Sequence, residues 1–245
     1  MNNELNTKEA YDARKAEKER AFAAEDRMRL GKRLGLWAIG FIGIAVVIFG
    51  LVKLGGGGDT GGTASLINAV SPQDFVQGNS AAPVTLIEYS DFQCPACASY
   101  YPFLKELMKQ DGDRIQFVYR HFPLPQHKNA KLAAQAAEAA GKQNKFWEMH
   151  DLLFENQKDW AESRSADELF AGYASSLELD LDQFSRDLDT SEIKAKIEAD
   201  YNGGVAAGVN STPSFFLNGK KIENPRSLDE FEQLINKSTP APATP

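Results

Sequence analysis

The chain has 245 residues, of which 42% are hydrophobic and 25% charged, a globular composition with room for one ordinary domain plus a tail or an anchor. The formal charge is −7; setting aside the nine Lys/Arg and seven Asp/Glu of residues 1–33, with Lys53 and Asp59, leaves 17 basic and 26 acidic residues, a net of −9. That acidity excludes nucleic acid as a partner, since phosphate recognition needs a basic face. Both cysteines lie in one motif, so none remains for a structural disulfide elsewhere.

Residues 1–33 mix Ala, Glu, Lys and Arg without an apolar stripe and read as a solvated helical segment on the cytoplasmic side. Residues 34–54 are expected to be a transmembrane anchor. Leu34 to Val52 carries no charge, and at about 1.5 Å per residue it spans a hydrocarbon core of roughly 30 Å. Arg27, Arg29, Lys32 and Arg33 precede it and only Lys53 follows closely. The positive-inside rule therefore puts the N-terminus in the cytoplasm and everything after Lys53 outside the cell membrane. A cleaved signal peptide is the rival, with Thr63-Ala-Ser65 as a cleavage-like site, but its leader and apolar run are both too long. Residues 55–64 form a Gly-rich linker rather than a phosphate cradle, for no Lys-Ser/Thr ending follows.

The folded domain is expected over residues 65–237, with Ser65 to about Gln77 as a lead-in and Gly78 to Pro83 as a turn. Pro83 to Ile87 reads as a strand and Ala98 to Met108 as a helix, with Cys94-Pro-Ala-Cys97 where one becomes the other. Arg114 to Arg120, after the turn Asp111-Gly-Asp113, is a second strand, which implies a parallel pair with a right-handed crossover. Residues 126–207 read as an almost wholly helical insertion. Its segments are Lys128 to Lys142, Lys145 to Asn156, a helix opened by the capping box Ser165-Ala-Asp-Glu168, Asp182 to Leu188 and Ser191 to Ala207. Pro213 begins another strand, Asn218-Gly219 marks a hairpin into Lys220 to Ile222, and a second capping box, Ser227-Leu-Asp-Glu230, opens a last helix to about Asn236. Residues 238–245 are a disordered tail.

The free N–H groups and dipole of a helix start favour an anion, so a cysteine there is biased toward the thiolate that attacks disulfides. Pro95 fits the first turn, where its missing N–H costs nothing. A metal pair is the competing reading. One Cys-x-x-Cys supplies two ligands where a structural zinc needs four, and His121, His127 and His150 show no metal spacing.

Taken together, Ala82 to Cys97, Phe117 to Pro125, Lys145 to Asn156 and Gly208 to Gly219 resemble the DsbA-like thiol:disulfide oxidoreductases of the thioredoxin superfamily, of the membrane-anchored type. The likeness covers about Asp74 to Asn236 and implies an α/β thioredoxin-like fold with a helical insertion, preceded by a single transmembrane helix. It implies Cys94 as nucleophile and exposed end of the disulfide, Cys97 as buried resolving thiol, and a cis bond between Thr212 and Pro213. Pro95, Ala96, Thr212 and Pro213 are implied as the substrate-binding surface, with the Thr212 backbone pairing with an extended substrate chain. Glu88 is implied as a buried acid that takes a proton from Cys97, its pKa raised by burial. Phe92, Tyr100 and Phe103 are read evenly as an apolar substrate surface or as core, and His121 as structural. Ala96 stands where the strongest oxidants of the family carry histidine, so charge from that position cannot favour the thiolate.

The resemblance implies an oxidase for thiol-containing exported proteins, recycled by a membrane redox partner, with no cofactor and no metal. A reductase or isomerase fed through the membrane is the alternative, and a copper-delivery or other metal module built on Cys94, Cys97 and His121 stands behind both.

Overall fold

The structure, a computed structural model, describes residue 67 and residues 69–239. The expectations for residues 1–33, the anchor at 34–54, the linker at 55–64 and residues 240–245 of the tail lie outside the described residues; the first tail residue, Ser238, instead ends the last helix, and Thr239 N donates to Ile235 O at 2.9 Å. Among the described residues no helix is long and apolar enough to cross a membrane.

A five-stranded sheet runs in the order β1-β3-β2-β4-β5. The central strand β2 (Val84–Ser90) is buried along almost its whole length. It pairs in parallel with β3 (Ile115–His121) and antiparallel with β4 (Ser214–Leu217). Between β2 and β3 runs α1 (Pro95–Asp111), which lays Cys97, Tyr101, Leu104, Leu107 and Met108 toward the protein interior. The helix begins at Pro95, three residues before the expected Ala98. Proline is accepted at the first helical position, and the register of the apolar stripe carries back to Cys97. The edge strand β1 (Val76–Gly78) pairs antiparallel with β3, where the sequence suggests only a lead-in. Three residues are too few to show alternation, and Gly78 reads as turn. Its φ of +83° is paired with a packing need, because a Cβ there would stand 2.4 Å from the Ile115 carbonyl.

The helical insertion comprises α2 (Ala130–Gly141), α3 (Phe146–Glu155), α4 (Gln157–Trp160), α5 (Ala166–Ser176), α6 (Leu181–Asp187) and α7 (Ser191–Ala206). Its centre is α2, whose alanines 130, 133, 134, 136, 137, 139 and 140 are all buried. Small side chains on every face let α3 and the later helices approach closely, and Trp160, Phe170 and Phe184 fill the space around it. The hairpin at Asn218-Gly219 forms as expected, with φ of 49° and 80°, leading into β5 (Lys220–Lys221). The last helix, α8 (Leu228–Ser238), packs Phe231 and Ile235 over Leu86, Leu107 and Phe215.

The two expected capping boxes part ways. The Ser227 hydroxyl accepts from Glu230 N at 3.3 Å, and the Glu230 carboxylate accepts from Arg226 N at 2.7 Å, one residue earlier than the usual reciprocal bond. Ser165 makes no side-chain cap, because its φ and ψ of −116° and 40° turn it away from the helix; its own N–H instead donates to the Ser163 hydroxyl.

On the sheet face opposite α1, Gly204 of α7 lies against Tyr89 and Phe122. A Cβ at Gly204 would meet ring carbons of both at 2.8–2.9 Å, and both rings are buried. Gly204→Ala gains about 0.5–1 kcal/mol of helix propensity but incurs about 1–3 kcal/mol of overpacking. The variant should be net destabilised, with a lower urea midpoint and an unchanged m-value, and an unchanged midpoint would contradict this packing.

Candidate active site

Cys94 is the residue immediately before α1, in extended conformation with φ −71° and ψ 121°. Its N–H donates to Asp91 O at 3.0 Å, and its carbonyl accepts from Ala98 N at 3.1 Å. The sulfur stands over the first turn of the helix. Cys94 and Cys97 are both free thiols, 3.7 Å apart. Cys94 is 7% exposed and Cys97 1%. Cys94 is thus the more accessible sulfur, but it is recessed rather than exposed as expected, because the Thr212-Pro213 loop lies against it. The open surface is supplied by Pro95 and Ala96.

The Thr212–Pro213 bond is cis, as the resemblance implies. In the thiol form Cys94 Sγ donates to the Thr212 carbonyl at 3.5 Å. The Thr212 hydroxyl is buried with no hydrogen-bond partner among the described residues, and it is a donor that favours the Cys94 thiolate. The Cys94 thiol is pulled down from 9.0 to about 5. The Cys97 thiol as donor is the largest cause, opposed by burial and helped by Thr212 and by the N–H groups of Cys97 and Ala96. Cys97 moves the other way: burial first, then Cys94 and the charge of Glu88 push its thiol well up.

Glu88 lies on β2, 1% exposed. Burial raises its carboxyl from 4.5 to about 8, although the Ser90 hydroxyl donates to it at 2.7 Å, and the charge of Cys94 adds to the rise. Strand pairing sets it between Tyr119 on β3 and Phe215 on β4.

Of the three aromatic candidates, Phe92 is core: it is fully buried and stacks on Tyr119 with centroids 4.8 Å apart. Tyr100 and Phe103 are half-buried, and Tyr100 leans on Phe215 at 5.4 Å and Phe231 at 6.3 Å, so they belong mainly to the packing under α8. His121 is buried on β3, with its Nε2 2.9 Å from Glu138. It does not join Cys94 and Cys97 in a ligand set, and among the described residues no three His, Cys, Asp or Glu gather to hold a metal ion.

A set of polar side chains that sequence reasoning missed holds the motif in place. Asp91 accepts from Gln93 N at 2.7 Å and from Leu124 N at 2.8 Å, and lies 2.7 Å from His127 Nδ1. The Gln93 amide donates to Ala161 O at 2.7 Å and accepts from Asn129 N at 2.7 Å. Buried Gln157 donates to Phe92 O at 2.6 Å and to Cys94 O at 3.0 Å. Asp91-Phe-Gln93 carries a detectable Asx-turn signal; Gln157, 63 residues from Cys94, carries none.

Chemically, this is a thiol ionised near neutral pH beside a second, sealed thiol that stays protonated, with an acid of intermediate pKa close by. It is an arrangement for two-electron exchange between a dithiol and a disulfide.

A curated relative, the Na+/H+ antiporter NhaA 1 of Salinispora arenicola, is 45% identical over 179 residues, covering 72% of this chain and 26% of that protein. The chain spans about a quarter of the length of the curated relatives it matches. Among solved structures, oxidised BdbD from Bacillus subtilis is similar with a TM-score of 0.61 and 27% identity, over 71% of this chain and 97% of that one. A cysteine-substituted alpha-DsbA1 from Wolbachia pipientis gives 0.61 and 25%, over 71% and 94%. Residues 70–237, well over half of the chain, match the family model described as Thioredoxin. The chain therefore belongs to the thioredoxin family, and its solved neighbours are DsbA-type thiol:disulfide oxidoreductases.

Proposed function

We propose that this protein is an extracytoplasmic thiol:disulfide oxidoreductase that introduces disulfides into exported proteins. The observation that carries the reading is a pair of free thiols 3.7 Å apart at the start of α1 and against the cis Thr212–Pro213 bond, with the Cys94 thiol lowered and the Cys97 thiol raised. In the oxidised form a substrate thiolate attacks Cys94 Sγ. The Cys94–Cys97 bond breaks, and Cys97 leaves as a thiolate that takes a proton from Glu88. A second substrate thiolate then attacks the substrate sulfur of the mixed disulfide. The substrate departs with its own disulfide, and Cys94 leaves as a thiolate. The two electrons now rest on the Cys94/Cys97 pair, and a membrane redox partner removes them. A low pKa makes Cys94 a ready leaving group in the last step.

Thr212 and Pro213 would seat the extended substrate beside Cys94, with exposed Pro95 and Ala96 on the other flank. Alanine at position 96 contributes no cationic side chain, but its backbone N–H and that of Cys97 already favour the thiolate. The apolar run at 34–54 and its flanking charges support a single-pass anchor with the domain outside. The naming of the curated relatives as Na+/H+ antiporters fits a domain that works beside a membrane.

The reduction potential of the full chain against glutathione tests the direction. A value well above the cytosolic glutathione poise of about −220 to −260 mV supports the oxidase, and one near the thioredoxin value of about −270 mV favours the reductase. Cys94→Ser should abolish dithiol oxidation and insulin reduction, and retained activity would end the reading.

The pH dependence of that potential checks the thiolate. Below about pH 5 reduction takes up two protons, and above it one, because Cys94 then stays ionised. The slope should therefore fall from about 60 to about 30 mV per pH unit. A single steep slope up to pH 8 would show an ordinary thiol.

Thr212→Val removes the hydroxyl and keeps the carbonyl. A hydrogen bond to a charged group is worth about 1.5–3 kcal/mol, so the Cys94 thiol should rise by about one to two pKa units. Ultraviolet thiolate absorbance against pH reads the shift, and an unmoved titration would show that the hydroxyl does not reach the thiolate.

A further inference from the structure

On the sheet face toward α1 and the helical insertion, β2 and β3 place four polar side chains together. The parallel register sets Glu88 opposite Tyr119 and Ser90 opposite His121, and all four are more than nine-tenths buried. The Ser90 hydroxyl donates to Glu88 at 2.7 Å. Leading away from the cysteines, His121 Nε2 lies 2.9 Å from Glu138 Oε1 on α2. Glu138 in turn lines a cavity of about 610 Å³ with Asp74, Lys142, Glu192 and Lys196.

Within this row two atoms, Tyr119 Oη and His121 Nδ1, are buried without a hydrogen-bond partner among the described residues. Their rings meet edge to face at 5.4 Å. Orphaned buried polar atoms are uncommon and call for a reason. A phenol and an imidazole can each take a proton on one side and release one on the other. The other titratable groups near the row are Cys97 on α1, Asp91 before it and His150 on α3, and Asp200 on α7 accepts from the His121 backbone N–H at 3.1 Å.

We propose that Glu88, Ser90, Tyr119, His121 and Glu138 form a proton relay between the sealed Cys97 and solvent at the Glu138 cavity. The inference rests on the thiol–disulfide chemistry assigned above and adds the path its proton takes. Glu88 and Cys97 are each 1% exposed, and the side toward Cys94 is closed by the Thr212-Pro213 loop, so a proton on Glu88 has no direct way out. The proposal requires one water between Tyr119 Oη and His121 Nδ1, which would satisfy both atoms and complete the row. When Cys97 attacks a mixed disulfide at Cys94, the bond between Cys94 and the partner sulfur breaks. The Cys94–Cys97 bond forms, and the partner leaves as a thiolate with both electrons. The Cys97 proton passes to Glu88, and exchange along the row releases one proton from Glu138. In the opposite direction a proton enters there.

The test follows oxidation of the dithiol full chain by oxidised glutathione, with acid quenching and mass detection of the glutathionylated intermediate. The first step is attack by Cys94 and the second is closure by Cys97. Glu138→Gln keeps the size and a hydrogen bond to His121 but cannot pass a proton. It should slow the second step by roughly 10–100-fold and raise its solvent deuterium isotope effect, while the first step and the reduction potential stay as in the wild type. Tyr119→Phe should do the same from inside the row, and covers the case in which Glu138→Gln misfolds. An unchanged second step and isotope effect in both variants would overturn the relay. A potential that shifts along with the slowing would make these residues structural supports and overturn it too. If the wild-type chain does not exchange with glutathione at all, the relay and the oxidoreductase reading fall together.

Discussion

The thiolate of Cys94 depends on donors that its own helix presents, and those donors stay aimed only while the chain ahead of α1 is clamped. The clamp is polar and comes largely from far along the sequence. Gln157 holds the carbonyls of Phe92 and Cys94, Asp91 ties the turn to Leu124 and His127, and Gln93 is gripped by Asn129 and Ala161. A typical hydrogen bond of this kind contributes about 1 kcal/mol, but leaving one of these buried groups unpaired costs more. The helical insertion is therefore part of the redox centre. Its Ala-rich α2 brings α3 and α4 close enough for Gln157 and Trp160 to reach the motif, and the Trp160 indole fixes that approach by donating to Leu153 O at 2.9 Å.

The two sulfurs share almost the same place, yet their titrations diverge. Burial opposes ionisation at both. At Cys94 the donors around the sulfur outweigh it. At Cys97, one turn into the helix, the donors are spent on the helix itself, and the charges of Cys94 and Glu88 add to burial. The position along the first turn decides which thiol ionises and which keeps its proton, and proline stands at the first helical position.

Much of this was legible in the sequence, and for local reasons. Cys94-Pro-Ala-Cys97 between an apolar strand and a helix and Asn218-Gly219 as a hairpin carry their geometry within a few residues, whereas the cis bond at Thr212-Pro213 was implied only by the family resemblance. The failures are of two kinds. β1 and the missing Ser165 cap turn on small backbone angles that competing residues override. The clamp at Gln157 and the row formed by Glu88, Ser90, Tyr119 and His121 depend on strand register and on packing across dozens of residues, which composition and period do not encode. Glu88 was named as a site acid only through the family resemblance, while its place between Tyr119 and Phe215 comes from strand register.

The two faces of the sheet treat buried charge differently, and the contrast bears on the chemistry. On one face Arg120 pairs with Asp74 at 2.8 Å, and Lys196 lies 2.7 Å from Asp200 and 3.4 Å from Asp74, a closed set of opposite charges. On the other, Glu88 has no cationic partner among the described residues, and burial pushes its carboxyl up to about 8 from 4.5. A carboxyl raised in this way stabilises the fold while protonated, and that contribution is lost as pH climbs from 4.5 through 8. Cys94 has the opposite sign: its depressed thiol contributes stability that is complete above 9 and lost as pH falls through about 5. In the dithiol form the two slopes largely offset one another between pH 5 and 8. In the disulfide form the thiolate is gone while the burial of Glu88 remains, so the oxidised fold loses ground to the reduced one as pH rises through that window. Glu88 is thus the group through which the stabilities of the two redox forms respond differently to pH in that window.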